Sequence, residues 1–160
     1  MEHPSLDRFA EGSSAVDVLA GQAEIVDAVL AASRVFVAVA SEALAGSSPD
    51  VTIPQFRALV LLEARKAMTI AELAEALGVV PSTATRMCDR LVAKRLVTRA
   101  TDRTNRRQVT VSLRPEGRAL IAESTRRRKE RISELLTSIP PQDQVELAAA
   151  LRLLVQAAAR

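Results

Sequence analysis

The segment from Thr69 to Lys94 constrains the fold of this chain more than any other stretch. Thr69 and Glu72 have the spacing at which a hydroxyl and a carboxylate each accept a hydrogen bond from a backbone N–H at a helix start. Gly78 supplies the left-handed residue that commonly ends a helix, and Pro81 is tolerated in a first helical turn. The sequence therefore predicts two helices joined by a tight glycine turn, the arrangement of a helix-turn-helix.

The second of these helices has two chemically different sides. Its apolar side chains are Ala84, Met87, Cys88 and Leu91. The opposite side carries hydroxyls and guanidinium groups, and the predicted DNA-binding residues there are Ser82, Thr83, Thr85, Arg86 and Arg90. A helix fits the major groove of B-DNA, where an arginine can donate two hydrogen bonds to guanine O6 and N7. On the helices alone, an ordinary polar helix surface remains an alternative.

A predicted β-hairpin follows this helix directly. Residues 97–101 and 108–113 alternate apolar and polar side chains, and the loop between them is polar. Three arginines in this loop, Arg103, Arg106 and Arg107, are predicted to bind DNA. A hairpin after a recognition helix is a wing, and its tip would lie near the adjacent minor groove, where negative potential favours arginine.

The charge of the chain is concentrated in one segment. The net charge is only +3, but residues 81–131 hold 15 Lys and Arg against five Asp and Glu. A concentrated basic segment within a folded domain is typical of a protein with a polyanionic partner, although a solvated surface is the alternative. The run from Arg126 to Lys129 is interpreted as such a solvated helix surface.

The first and last predicted helices indicate a dimer. Ser14 and Asp17 resemble a capping pair that opens a long first helix. Two adjacent apolar stripes run along it, one through Val26 and Leu30 and the other through Val29, which suggests packing against its own domain and against a second chain. The predicted helices cover about 14–45, 53–65, 70–77, 81–94, 115–137 and 142–158.

The composition argues against several other classes of protein. One cysteine excludes an internal disulfide, and one histidine, His3, leaves no zinc ligand set. With no glycine-rich phosphate loop either, we expect no enzyme, metal or cofactor. No apolar run is long enough to span a membrane and the N-terminus does not resemble a signal peptide, so we expect a soluble cytoplasmic protein.

Two stretches resemble the MarR family of winged-helix transcriptional regulators. They are TIAELAEALGVVPSTATRMCDRLVAKRLVTRATD and NRRQVTVSLRPEGRAL. The resemblance implies a mainly α fold with a small β-hairpin wing and a homodimer that binds double-stranded DNA. It further implies a repressor that leaves a pseudo-palindromic operator when a small phenolic or other hydrophobic effector binds. The expected division is a flexible tail at 1–12, helical dimerisation regions at 13–48 and 114–160, and a DNA-binding region at 49–113.

The chain departs from the family pattern at several positions. Family members typically have a wing loop of the form Asp-x-Arg-Asp-x-Arg, but here Thr104 and Asn105 replace two of these residues, which leaves Arg103 or Arg106 to enter the minor groove. Further departures are Val80 in place of a Ser/Thr-type cap, Arg95 in place of glycine, and Arg114 in place of threonine.

Two further expectations concern the interior. Loose candidates for an effector site are Arg34, Phe36, Phe56 and Arg57, which are more simply interpreted as packing and surface residues. Cys88 is expected to be buried without a cation nearby, and therefore chemically inert.

One alternative function stays open on the sequence. A winged helix can also serve as a protein-interaction module or as an architectural DNA binder without sequence preference. The two classes differ in competition, because specific binding survives an excess of random DNA whereas electrostatic binding is lost to it and to salt.

Overall fold

A computed structural model describes residues 11–48, 50–101 and 109–159 of the chain, and within them six helices and three strands. The helices are α1 (Glu11–Ser47), α2 (Ile53–Arg65), α3 (Ile70–Leu77), α4 (Pro81–Ala93), α5 (Pro115–Leu136) and α6 (Pro141–Ala158). The strands are β1 (Ala67–Thr69), β2 (Val97–Thr101) and β3 (Val109–Leu113). The chain divides into two compact units, Met1–Ala38 and Val39–Arg160. In the part described, no helix is long and apolar enough to cross a membrane.

The first unit is the N-terminal part of α1. The helix already includes Glu11, so the predicted cap at Ser14 and the extension of a flexible tail to residue 12 are wrong. Residues 1–10 lie outside the described part. From residue 21 onward, most large apolar side chains of this unit are exposed. They include Ile25, Val26, Val29, Leu30 and Phe36.

The local signals that open the helices of the second unit are confirmed. The Thr52 hydroxyl accepts from the backbone N–H of Gln55, and the Gln55 side chain accepts from the backbone of Thr52. Thr69 and Glu72 repeat this exchange at the start of α3. Gly78 ends α3 at φ +69°, in the left-handed region that favours glycine.

The three strands form one antiparallel sheet in the order β1-β3-β2. The two wing strands were expected, but β1 was not, because three residues are too few to show an alternating pattern. Met68 of β1 and Arg99 of β2 both lie opposite Val111 of β3. The wing is therefore hydrogen-bonded to the body of the domain through its second strand.

The core of the second unit lies between the helix-turn-helix, the sheet and the start of α5. Its members are apolar side chains from α2, α3, α4 and both long strands, among them Leu59, Leu62, Leu73, Leu91 and Val111. At the start of α5 the backbone approaches closely. Gly117 is buried against the carbonyl oxygen of Leu96, which also accepts from the backbone N–H of Arg114 at 3.0 Å.

Two of the four basic residues in the run from Arg126 to Lys129 are paired within α5 itself. The Arg126 guanidinium lies 2.8 Å from a Glu123 carboxylate oxygen and also bonds Glu130, while Arg127 lies 2.7 Å from Glu123. Hydrogen bonds from Arg126 and Arg127 lower the pKa of Glu123 to about 2. These arginines are therefore neutralised locally at neutral pH, as expected of a solvated helix surface rather than of a DNA contact.

Arg95 occupies a conformation suited to glycine. It follows α4 at φ +59°, where a side chain costs about 1 kcal/mol or more. We expect Arg95→Gly to raise the free energy of unfolding by about 0.5–1 kcal/mol, measured by urea denaturation. Arg95→Ala is the control, because it removes the same charge but keeps the strained conformation. Equal stabilities of the two variants would contradict the assignment of strain.

Candidate nucleic-acid interface

Helix α4 presents the predicted polar side chains away from the core. Ser82, Thr85, Arg86 and Arg90 are exposed and Thr83 is half-buried. Ala84, Cys88 and Leu91, on the opposite side of the helix, are completely buried. The structure thus holds α4 rigidly by its apolar side and leaves hydroxyls and guanidinium groups facing solvent.

One edge of this polar surface continues onto the start of α2. Thr83, Arg86 and Arg90 line a cleft of about 320 Å³ together with Met87 of α4, and the opposite wall belongs to α2 and its cap. That wall consists of Thr52, Pro54 and Gln55. Two guanidinium groups beside a helix start form a strongly electropositive concave surface, which suits a phosphate group. The sequence indicated Thr52 and Gln55 only as a cap.

The lysine that follows α4, Lys94, joins this helix to the start of α2. The Lys94 ammonium group donates to the backbone carbonyl of Asp50 and lies 3.5 Å from the side-chain oxygen of Gln55. Gln55 is only 4% exposed. The same oxygen accepts from the backbone N–H of Thr52 at 3.2 Å. Lys94 therefore fixes the start of α2 against the end of α4, a contact between residues too distant in sequence for any local pattern to reveal.

The other edge of α4 is attached to the wing. The Arg99 guanidinium lies 2.7 Å from a carboxylate oxygen of Asp89 and donates to the backbone carbonyl of Thr85 at 3.2 Å. Neither Asp89 nor Arg99 was predicted to matter from the sequence.

The wing loop itself lies outside the described residues. Its strands end opposite each other at Thr101 and Val109, as predicted to within one residue. Arg103, Arg106 and Arg107 lie outside the described residues, so their role in DNA binding stays a prediction. Within the described residues, no three His, Cys, Asp or Glu side chains are grouped to hold a metal ion.

Comparison with known proteins identifies the family to which this architecture belongs. The family model for the MarR family matches residues 51–109. Two relatives come from Bacillus subtilis: the uncharacterised HTH-type transcriptional regulator YsmB is 34% identical over 58% of this chain and 64% of its own length. The HTH-type transcriptional repressor MdtR is 32% identical over 68% of this chain and 70% of its own length. This chain belongs to the MarR family.

The similarity to the crystal structure of RV1404 from Mycobacterium tuberculosis extends over this whole MarR-family chain. The two sequences are 32% identical, the match covers 100% of this chain and 99% of RV1404, and the TM-score is 0.79. The fold is therefore the winged helix-turn-helix of MarR-family transcriptional regulators, which bind DNA, and the predicted mainly α fold with a small wing is confirmed.

Two departures from the MarR-family pattern have visible consequences at helix starts. Val80, in the position before α4, makes no side-chain cap and is 61% exposed. Arg114 likewise provides no cap for α5, although its side chain pairs with Glu116 at 3.4 Å. Both helices instead begin with a proline, whose fixed φ is preorganised for a first turn.

The loose effector candidates of this MarR-family chain fall in different surroundings. Arg34 and Phe36 are exposed on the first unit. In the second unit, Phe56 packs against the core, and Arg57 lines a pocket of about 230 Å³ whose other walls are mainly apolar. The remaining lining residues are Ile53, Pro54, Leu77, Val79 and Met87.

The environment of Cys88 differs from expectation in one respect. The thiol is buried, as predicted. The prediction that no cation lies nearby is wrong, because the Arg99 guanidinium is close enough to the thiol to act against the rise of its pKa. Burial raises the pKa of Cys88, and the positive charge of Arg99 offsets only part of that rise. The thiol form therefore predominates at neutral pH.

We expect Cys88 to react slowly in the folded protein. Since the thiolate is the nucleophile, alkylation by iodoacetamide at pH 7.5 is expected to be at least about tenfold slower than in the urea-unfolded chain. Cys88→Ser is expected to bind DNA as the wild type does, with or without mild peroxide. The opposite result would be loss of wild-type DNA binding in peroxide that the Cys88→Ser variant escapes.

Proposed function

We propose that this chain is a homodimeric, sequence-specific repressor of transcription that acts in the cytoplasm. The observation that carries the proposal is the exposed surface of α4, on which Thr83, Arg86 and Arg90 join the start of α2 in one electropositive cleft. A rigid helix with polar groups near its N-terminus is the element that enters a major groove, while neighbouring helix starts contact phosphates. Ser82 and Thr85 complete the proposed reading surface.

Dimer formation is supported by apolar surface on both units. α1 exposes Ile25 and Leu30, and α6 has no buried residue. The apolar side chains exposed on α6 include Val145, Leu147, Leu153, Leu154 and Val155. Exposed surface of this kind marks an interaction site, and a second copy of the chain would cover it. Two copies present two reading helices, which suits a pseudo-palindromic operator.

The proposal that the chain represses transcription, and that an effector releases it from DNA, is based on its family. MdtR, which is 32% identical, is a transcriptional repressor by name. Dissociation from the operator upon binding of a small phenolic or other hydrophobic effector is the mode of regulation that we propose from the same resemblance.

A second candidate is DNA binding without sequence preference. The excess of ten positive charges in residues 81–131 favours it, because phosphate contacts alone supply most non-specific affinity.

Selection of DNA sites from a random pool distinguishes the two candidates. We expect one enriched pseudo-palindromic site, bound in the presence of a large excess of random DNA, by a protein that light scattering identifies as a dimer at micromolar concentration. A folded monomer would contradict the dimer, and binding that random competitor abolishes would favour the second candidate.

A further inference from the structure

The guanidinium of Arg99 joins two elements that a DNA-binding winged helix must hold at a fixed distance. We infer that Arg99 is a positioning residue that fixes the wing to α4, so that both elements engage DNA together. The inference rests on the proposed function, because it concerns the geometry of the same DNA-binding surface.

Arg99 lies on the inward side of its strand. Side chains two residues apart share one side of a strand, and Val97, two residues earlier, is almost completely buried. Where the pattern would place another apolar side chain, β2 has an arginine instead, opposite the buried Val111.

The partners of the Arg99 side chain all belong to α4. Arg99 reaches the Asp89 carboxylate at 2.7 Å and the Thr85 carbonyl at 3.2 Å, which are four residues apart and hence one helical turn. The planar guanidinium holds its N–H donors in a fixed arrangement. Two hydrogen bonds to α4 therefore restrict both the distance and the rotation of β2 relative to that helix.

The exposure of the pair favours a role in alignment over one in stability. The side chains of Arg99 and Asp89 are 32% and 55% exposed. Pairs this exposed contribute little to folding. Their bond nevertheless crosses from the wing to the reading helix, whose relative placement decides whether two separate DNA contacts form at once.

A double-mutant cycle tests the inference. The affinity for the selected duplex is measured for Arg99→Gln in the wild-type background and in a background carrying Arg103→Ala, Arg106→Ala and Arg107→Ala. We expect Arg99→Gln to weaken binding about three- to tenfold with the wing loop intact. With the loop arginines removed, we expect no further loss, because there is no wing contact left to align.

Three more variants sharpen the comparison. Arg99→Lys is expected to recover part of the affinity, since an ammonium group can pair with Asp89 but does not hold its donors in that fixed arrangement. Asp89→Asn removes the acceptor rather than the cation and is expected to show the same dependence on the loop arginines. Arg114→Gln is the matched control, because it removes the same charge and an ion pair with Glu116, and it is expected to bind like the wild type.

Several results would overturn the inference. Equal losses from Arg99→Gln in both backgrounds would assign the arginine a direct phosphate contact or a general structural role. An unchanged affinity of the loop variant would mean that there is no wing contact to position. If Arg99→Gln does not fold, Asp89→Asn decides by the same criterion. Wild-type protein that binds no duplex would refute the proposed function and this inference together, whereas specific binding with additive losses would refute only the inference.

Discussion

Replacement of Arg86 by alanine is expected to weaken binding to the selected duplex by about 1–3 kcal/mol in each half-site. In a dimer on two half-sites this amounts to a loss of roughly 30-fold to 10⁴-fold. Arg86 is exposed on the second turn of α4 and lines the cleft beside α2. From this position its guanidinium can donate two hydrogen bonds to guanine O6 and N7. In the Arg86→Ala variant, base preference is therefore expected to relax at one position per half-site.

The result for Arg86→Ala is compared with that for a variant of the wing loop. Arg103→Ala with Arg106→Ala is expected to weaken binding to all sequences and to lower the dependence of affinity on salt by about one counterion for each lost contact. Titrations of both variants against cognate and scrambled duplexes at several salt concentrations separate the two effects. If Arg86→Ala lowers affinity for cognate and scrambled DNA equally, Arg86 contacts phosphate and reads no base.

Gly117→Ala is expected to lower the free energy of unfolding by about 2 kcal/mol or more. A Cβ atom at this position would come much closer than 3.0 Å to the carbonyl oxygen of Leu96 and would touch the Leu113 side chain. The better helix propensity of alanine returns only about 1 kcal/mol. Relief would require α5 to move away from the loop between α4 and β2, which would break the bond from Arg114 to Leu96. Urea denaturation followed by circular dichroism measures the change.

Two other helical glycines are controls for Gly117. At Gly46 a Cβ would meet only the end of the flexible Arg127 side chain, and at Gly21 it would meet nothing within 4 Å. Gly46→Ala is therefore expected to be nearly neutral and Gly21→Ala to be stabilising by up to about 1 kcal/mol. A Gly117→Ala variant as stable as these two would show that the start of α5 is not held by the close approach.

The helices were predictable because their signals are local. Thr52, Thr69 and Gly78 bond groups within about one helical turn along the sequence, so the spacing of these residues already predicts where the helices begin and end. The placement of Thr83, Arg86 and Arg90 on the outer side of α4 follows equally from helical periodicity. The start of α1 was misjudged because Ser14 is followed by a favourable pattern but also preceded by residues that extend the helix.

The contacts that assemble the proposed DNA-binding surface were not predictable. Lys94 bonds the loop before α2 across 44 positions, and Arg99 bonds Thr85 across 14. Neither residue belongs to a capping or turn signal, and each has among its partners a backbone carbonyl, which every residue of the chain also has. Such pairings depend on how helices pack, which no pattern within a single element encodes. β1 was missed for the same reason, since it is a strand only because β3 lies beside it.

Because β3 is the central strand of the sheet, the wing is well suited to the exchange of its loop in protein engineering. The register of β3 is set along the edge opposite β2 by its pairing with Ala67, Met68 and Thr69 of β1. A slip of one position would turn Val111 from the core to solvent and break both ladders at once. The stretch between Thr101 and Val109 can therefore be exchanged for loops of other lengths and charges while the strands that carry it keep their alignment. Grafting at this point offers a route to change the charge of the wing without redesigning its core.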